Sequence, residues 1–226
     1  MCIRDSFYPS FSADGEFITF AAEADVGSTV AVNIYTVNLS TGTVSEPLTG
    51  ITESNPSAED ALAAQSPLFT PDGSKIYYLF GVPGDAEAGA GFEIWRMNPD
   101  GSEQEAVTEN ESPIGTISMN VEGTQLTYRS QLGGIRILDI IEPAPGAGLS
   151  PSRVVVSGDT VNGPRFVGIG NRIIFSRRED SSASDLFVVD VNTGVETNMT
   201  NTPSAGEGGA WPSPVPVDAF PLRLTD

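Results

Sequence analysis

The residues of this chain that could perform acid–base or metal chemistry are almost all carboxylates. The 226 residues include 30 aspartates and glutamates but no histidine, and the one cysteine is Cys2. A sequence without histidine has no Ser-His-Asp triad, and it lacks both the usual general base and the commonest zinc ligand. Paired carboxylates can hydrolyse glycosidic bonds, but no spacing in this sequence singles out a pair. The sequence therefore predicts no catalytic residue.

Calcium is the metal that would best suit these carboxylates, because it prefers oxygen ligands on flexible loops. None of the acidic residues follows the ordered spacing of an EF-hand loop, and a solvated acidic rim is the alternative interpretation. We therefore expect no bound cofactor, with Ca²⁺ kept as a hypothesis. The candidate ligands are Asp25, Asp60, Asp85, Glu87 and Asp180, with Glu23, Glu59 and Glu179 beside them.

The net charge of −19, with Lys75 as the one lysine, limits the classes of partner. A chain this acidic repels phosphate backbones and anionic membrane surfaces, so we expect no nucleic-acid partner. No apolar run is long enough to cross a bilayer, so we expect no membrane insertion. The 39% hydrophobic content is sufficient for one domain with a buried core.

One short phrase of residues occurs four times and indicates which elements carry these side chains. Each copy has a large apolar residue four positions before a glycine, and apolar residues three and five positions after it. Asp-Gly between two apolar runs is a strong hairpin signal, because the turn requires a positive φ that glycine adopts freely. The four copies are Phe11–Gly15, Phe69–Gly73, Met119–Gly123 and Phe166–Gly170.

The aspartates of these phrases are interpreted as turn residues whose side chains bond the local backbone. Further turns follow a third apolar strand in three of the units. The predicted turn residues are Asp14, Gly15, Asp72, Gly73, Asp100, Gly101, Gly123, Gly170 and Gly194.

Each unit reads as a four-stranded antiparallel meander, and the units recur at a spacing of about 50 residues. Such units are typical of a β-propeller, whereas a β-sandwich has no reason to repeat the phrase in register. The sequence therefore predicts an all-β chain with about four propeller blades, which we expect to be part of a six- to eight-bladed ring. The predicted blades are 7–49, 66–108, 112–157 and 162–200.

The phrases Phe11–Gly15 and Phe69–Gly73, each followed by an apolar strand, resemble the Asp-Gly-containing WD-like repeats of TolB-type propellers. The resemblance covers about residues 7–200, although the third copy has Glu122 in place of aspartate and the fourth keeps only the glycine. It implies a non-catalytic scaffold for protein–protein interaction, in the bacterial periplasm or outside the cell. The partner does not carry over, and the oligomeric state is not predicted.

Two other functions stay open at this point. Similar propellers gate the hydrolase domain of prolyl oligopeptidase-like enzymes, whose nucleophile motif and histidine do not occur in this sequence. A calcium- or glycan-binding surface module is the third alternative.

The two ends of the chain depart from the repeat. Residues 1–6 read as a translated sequencing adaptor, which would also account for Cys2. Residues 201–226 read as a proline-rich tail or as the degenerate start of a further blade, because proline at this density does not enter a central strand.

The two faces of the predicted ring differ in their connections. The connections at 13–16, 40–43, 71–74, 99–102 and 192–194 are tight, whereas those at 21–31, 50–65, 81–91, 177–184 and 201–210 are long; 141–152 is a long insertion on the tight-turn face. Long loops on a rigid scaffold often carry binding function. We therefore expect the long-loop face, with Asp25, Glu59, Asp60, Asp85, Glu87 and Asp180, to bind a protein or peptide partner.

Overall fold

The computed structural model describes residues 3–26, 29–51, 63–85, 90–140, 152–168, 171–178 and 184–200. These residues form fifteen β-strands. No helix among them is long and apolar enough to span a membrane. The strands fall into four consecutive antiparallel meanders, as the repeat predicts.

The strands are numbered in chain order, and the first strand of each blade is the innermost. The first blade contains β1 (Ile3–Phe11), β2 (Phe17–Val26), β3 (Thr29–Asn38) and a fourth edge that begins at the Val37–Val44 bridge. The second contains β4 (Ala63–Phe69), β5 (Ile76–Asp85), β6 (Ala90–Met97) and β7 (Glu105–Ala106). The third contains β8 (Pro113–Met119), β9 (Gln125–Ser130), β10 (Ile135–Asp139) and β11 (Ser152–Val156). The fourth contains β12 (Val161–Phe166), β13 (Arg172–Arg178), β14 (Ser184–Asp190) and β15 (Glu196–Asn198).

The four blades form an open arc around a common axis. The innermost strands contact one another in the order β1, β4, β8 and β12, so neighbours in the sequence are neighbours in space. Within the described residues, β12 makes no comparable contact with β1. The arc is therefore not closed between its first and fourth blades.

The hairpin turns of the repeated phrase are built from side-chain hydrogen bonds. The Ser12 hydroxyl donates to the Asp14 carboxylate over 2.5 Å, and that carboxylate also accepts the Glu16 N–H. Gly15 and Gly73 both have φ of +72°, the conformation that the turn requires. In the second blade Thr70 donates to Asp72 in the same way.

The third blade reaches the same turn without an aspartate. The Asn120 side-chain oxygen accepts the N–H groups of both Thr124 and Gln125. One asparagine oxygen thus accepts the two N–H groups that a hydroxyl and a carboxylate accept in the first two blades. This explains why Glu122 can stand where the first two copies have aspartate.

The apolar side chains of the strands fill three cores, one between each pair of adjacent blades. Ile76 and Tyr78 of β5 are fully buried against Ala21 and Ile34 of the first blade. Because side chains alternate across a strand, the intervening Tyr77 and Leu79 pack in the next core, between the second and third blades. Each central blade is therefore apolar on both faces.

A threonine closes the outer edge of three blades. The Thr108 hydroxyl accepts the Ile94 N–H over 2.8 Å and donates to the Glu93 carboxylate over 2.6 Å. The hydroxyls of Thr49 and Thr200 make the corresponding bonds in the first and fourth blades. These bonds fasten the fourth edge of the blade to its third strand.

The prediction of long loops at 21–31 and 81–91 is wrong. β2 and β3 stay paired as far as Val26 and Thr29, and β5 and β6 are paired again at Asp85 and Ala90. The segments 21–31 and 81–91 are therefore mostly long hairpin arms rather than loops. In β2 and β3, small and β-branched residues continue the strand pattern beyond the core, so the backbone groups keep their ladder partners. The pairing of β5 with β6 is irregular between Gly81 and Asp85.

Residues Ile3 to Ser6 extend β1 and pair with β2 as far as Ala24. Their assignment to an adaptor stays a prediction. The assignments of residues 1–2 and 201–226 concern segments outside the described residues.

Candidate functional site at the axial mouth

Each innermost strand carries a β-bulge at the same position of the repeat. The register against the second strand shifts near the middle of β1, β4, β8 and β12, and β1 has a further shift between Ile3 and Ser6. A residue with positive φ lies within each shift: Tyr8, Ser66, Gly115 and Gly163. The shared bulge re-aims the strand end that follows it, as bulges near binding sites commonly do.

Hydrogen bonds join the innermost strands at these bulges. The Ser66 hydroxyl donates to the Gly115 carbonyl of the next blade over 2.6 Å. Farther along, the Phe166 N–H of the fourth blade donates to the Ser118 hydroxyl of the third over 3.2 Å. These bonds cross between blades, so they fix the relative positions of the strand ends around the axis.

The strand ends surround a cavity of about 290 Å³ at the tight-turn end of the axis. All four blades contribute to it, so the arc rather than any single blade creates the cavity. The residues one position before the apolar residue of each phrase line it: Ser10, Leu68, Ser118 and Arg165. We call this cavity the axial mouth; its rim includes the exposed side chains of Phe11 and Val121.

Arg165 gives the axial mouth a cation in a strongly acidic protein. Its side chain is half-buried, and burial lowers the pKa of its guanidinium. An arginine still stays protonated at neutral pH, because its ordinary pKa is so high. A guanidinium beside apolar surface and hydroxyl groups can bind a carboxylate of a ligand whose apolar part contacts Phe11 and Val121.

A second concavity of about 360 Å³ lies between the second and third blades on the same end. Asp72, Lys75 and Glu122 line it. The Lys75 ammonium already donates to Asn98 over 2.7 Å and to the Glu103 carboxylate over 3.0 Å. This groove therefore offers mostly carboxylates, and its ammonium group is already paired.

The predicted turn aspartates act locally within their own hairpins. Hydrogen bonds from Thr70, and then from the backbone and hydroxyl of Ser74, lower the pKa of Asp72 to about 2. The same kind of bonding lowers the pKa of Asp14, first from Ser12, and of Asp100, first from Ser102. Carboxyls held ionised in this way are poor general acids near neutral pH.

This bonding predicts an acid-sensitive turn in the second blade. The folded pKa of Asp72 lies below its ordinary value of 3.8, so its stabilising effect is present above that pH and is lost as the pH falls towards 2. Melting temperatures measured from pH 5 to pH 2 should fall more steeply for the native chain than for Asp72→Asn. Equal slopes would contradict this role, and Asp139→Asn is the control.

The predicted calcium ligands are not brought together within the described residues. Asp25 lies in β2 and Asp85 in β5, whereas Asp60, Glu87 and Asp180 lie outside the described residues, as do Glu59 and Glu179. No group of three or more histidine, cysteine or acidic side chains that could hold a metal occurs in the described part of the chain. Calcium binding stays a prediction, and so does binding at the long-loop face. Gly170 is also outside the described residues.

Sequence reasoning missed the axial mouth and Arg165. The available signal was the position directly before the apolar residue of each phrase, which holds Ser10, Leu68, Ser118 and Arg165. The side chain at that position is a serine, a leucine, a serine and an arginine in the four copies. Because its type is not repeated, the period of the sequence does not mark the position as a shared site.

No protein-family profile and no curated protein sequence matches the chain. Solved structures do match: TolB from Acinetobacter baumannii aligns with a TM-score of 0.61 and 22% identity, over 86% of this chain and 43% of that one. The chain has the fold of a TolB-like β-propeller. The predicted all-β propeller is thus confirmed.

Two further structures extend the comparison of this TolB-like propeller to proteases. The β-propeller domain of the Trilobed protease from Pyrococcus furiosus aligns with a TM-score of 0.56 and 14% identity, over 88% of this chain and 58% of that one. Acylaminoacyl peptidase from Pyrococcus horikoshii aligns with a TM-score of 0.53 and 14% identity, over 88% and 32%. The chain therefore spans between about a third and three fifths of these structures.

Proposed function

We propose that this chain is a non-catalytic propeller scaffold that binds a protein or peptide partner in the cell envelope or outside the cell. The likeness of its fold to TolB and the TolB-type repeats support this location and role. The observation that carries the proposal is the axial mouth, where a half-buried arginine lies beside exposed apolar side chains in a chain of net charge −19. Its ligand is an extended peptide segment with a carboxylate next to an apolar side chain.

The chemistry of the mouth favours such a segment over other ligands. Apolar surface exposed next to a few polar groups is the usual composition of a recognition site. Arg165 supplies directional hydrogen bonds to a carboxylate, and the Ser118 side chain also lines the mouth. The net charge of −19 repels ligands whose negative charge is not concentrated at this cation.

A selection with phage-displayed random peptides tests this proposal. Peptides selected on the native chain should be rich in acidic and apolar residues. Arg165→Gln should weaken them at least about tenfold, because truncating one partner of a buried charged pair is costly. Val121→Ser should weaken them less, and Arg178→Gln is the control because Arg178 lies at the far end of its strand.

Two outcomes of this selection would contradict the proposal. One is that no peptide is enriched on the native chain. The other is that the selected peptides bind Arg165→Gln as tightly as the native protein.

A gating propeller of a prolyl oligopeptidase-like hydrolase is the second candidate. The structural likeness to the Trilobed protease propeller and to acylaminoacyl peptidase supports it. In that case the axial mouth admits peptides in transit, so selected peptides should bind weakly and without a preference for carboxylates. A calcium- or glycan-binding module is tested by a melting-temperature shift with CaCl₂.

A further inference from the structure

The sequence contains four pairs in which an aspartate or an asparagine directly precedes a glycine. Such pairs can cyclise, because glycine has no Cβ to hinder attack by its own nitrogen on the side-chain carbonyl before it. Three of the pairs are the Asp-Gly turns at Gly15, Gly73 and Gly101, and the fourth is Asn162–Gly163 in β12. The structure places the nitrogen of the fourth pair differently from the other three.

In the three Asp-Gly turns, a backbone hydrogen bond holds the glycine N–H away from the aspartate side chain. The donors are Gly15, Gly73 and Gly101, at 2.9–3.0 Å from the carbonyl oxygens of Ser12, Thr70 and Asn98. Each aspartate instead accepts the N–H of the residue after the glycine. A carboxylate is also a poor target for a nucleophile, because it already carries a negative charge. These three pairs are therefore protected from cyclisation.

The N–H group of Gly163 donates to the side chain of the residue directly before it. Its nitrogen lies 3.0 Å from the Asn162 Oδ1 atom. The Asn162 Cγ atom is one carbonyl bond, about 1.23 Å, from Oδ1, so the nitrogen lies close to the carbon that it would attack. The Asn162 side chain is exposed, so solvent reaches the pair and the amide is free to rotate.

The β-bulge of β12 releases Gly163 from the strand ladder. The ladder with β13 pairs Asn162 with Ser176 and resumes at Arg165. Gly163 lies in the register shift between these pairs, so within the described residues it has no paired partner in β13. It has φ of +57°, and a Cβ there would meet nothing within 4 Å. The backbone therefore has the space that ring closure requires.

We propose that Asn162 is a site of spontaneous deamidation in the folded protein. The Gly163 nitrogen loses its proton and forms a bond to the Asn162 Cγ atom, and the bond between Cγ and Nδ2 breaks. The Nδ2 amine leaves with that proton as ammonia, and a five-membered succinimide ring remains. Water then opens the ring at either carbonyl, which gives aspartate or isoaspartate at position 162. Water is the one further reactant.

Both products change the inner strand that carries Arg165. Each adds a negative charge, and isoaspartate also lengthens the backbone by one methylene inside the bulge that sets the direction of the strand end. Arg165 follows this bulge and lines the axial mouth. Deamidation therefore alters the axial mouth slowly and irreversibly, a consequence that rests on the proposed function.

Mass spectrometry of the full chain after prolonged incubation in neutral buffer tests the site. Trypsin releases residues 154–165, in which Asn162 is the one asparagine. This peptide should gain the mass of an amide-to-carboxyl exchange before any other asparagine-containing peptide does, with protein digested before incubation as the baseline. Methylation by protein isoaspartate methyltransferase should label position 162 but not Asp14, Asp72 or Asp100.

Two variants and a matched control test the chemistry. Asn162→Gln should show no conversion over the same time, because its longer side chain would have to close a six-membered ring. Gly163→Ala places a methyl group beside the attacking nitrogen and should slow conversion severalfold. Gly115→Ala changes the corresponding bulge of the third blade and should leave the rate at Asn162 unchanged. A Cβ meets nothing within 4 Å at either glycine, so both alanine variants should fold, and circular dichroism checks this.

The free peptide 154–165 is the reference for the folded chain. A folded chain that keeps Asn162 intact after the free peptide is fully converted would overturn the proposal. Equal rates for the native chain and Gly163→Ala would overturn it too.

The effect on the axial mouth is measured separately. Ion exchange isolates the deamidated chain, which should lose affinity for the selected peptides. If no peptide binds even the native chain, the proposed function fails, whereas the mass measurement still decides whether Asn162 is modified.

Discussion

Replacing Gly134 with alanine should lower the free energy of unfolding by about 2–5 kcal/mol. Gly134 has φ of +83°, a conformation that costs a residue with a Cβ about 1–2 kcal/mol. A Cβ at this position would also collide with the Val156 carbonyl of the neighbouring strand β11. That oxygen belongs to the backbone, so relief requires a shift of the sheet, which typically costs about 1–3 kcal/mol more.

Gly115→Ala in the same blade is the matched control. Gly115 has φ of +78°, but a Cβ there meets nothing within 4 Å. Its cost should be limited to the conformational part, about 1–2 kcal/mol. Urea denaturation of both variants measures the difference. Equal losses would show that Val156 does not approach Gly134 as closely as the structure has it.

Replacing Ile76 with alanine should cost about 2–5 kcal/mol of unfolding free energy, the range found for large-to-small changes in tightly packed cores. Ile76 is fully buried in the core between the first and second blades, beside Tyr78 and Met97. The cavity would lie between two sheets whose backbones are held by their own ladders, so the walls have little freedom to close.

The size series at this position separates packing from other effects. Ile76→Val removes one methylene and should cost about 0.5–1.5 kcal/mol. Leu132→Ala changes an exposed side chain and should stay within about 0.5 kcal/mol of the native protein. A loss for Ile76→Ala no larger than that of Ile76→Val would contradict the tight inter-blade core.

Much of the fold could be predicted because its signals are local. Ser12, Asp14 and Gly15 form a hairpin turn through bonds within a few residues, and Ile18 and Phe20 show the two-residue period of a strand. The hairpin arms around Asp25 and Asp85 were less predictable. Their glycine- and alanine-containing sequences resemble loops, yet β2 and β3 stay paired as far as Val26 and Thr29, and β5 and β6 pair again at Asp85 and Ala90.

The sequence by itself determined the blade, its turns and the repetition of the blade, because hairpin chemistry and side-chain alternation depend on residues close together in the chain. Only the tertiary structure decided what lies between blades. Ser10, Leu68, Ser118 and Arg165 are far apart in the sequence, and they meet because bulged inner strands converge on one axis. The exposure of Phe11 and Met199 likewise depends on whether another blade lies beside them, since their own repeat positions are apolar in every case. The axial mouth is therefore a property of the arc rather than of any one repeat.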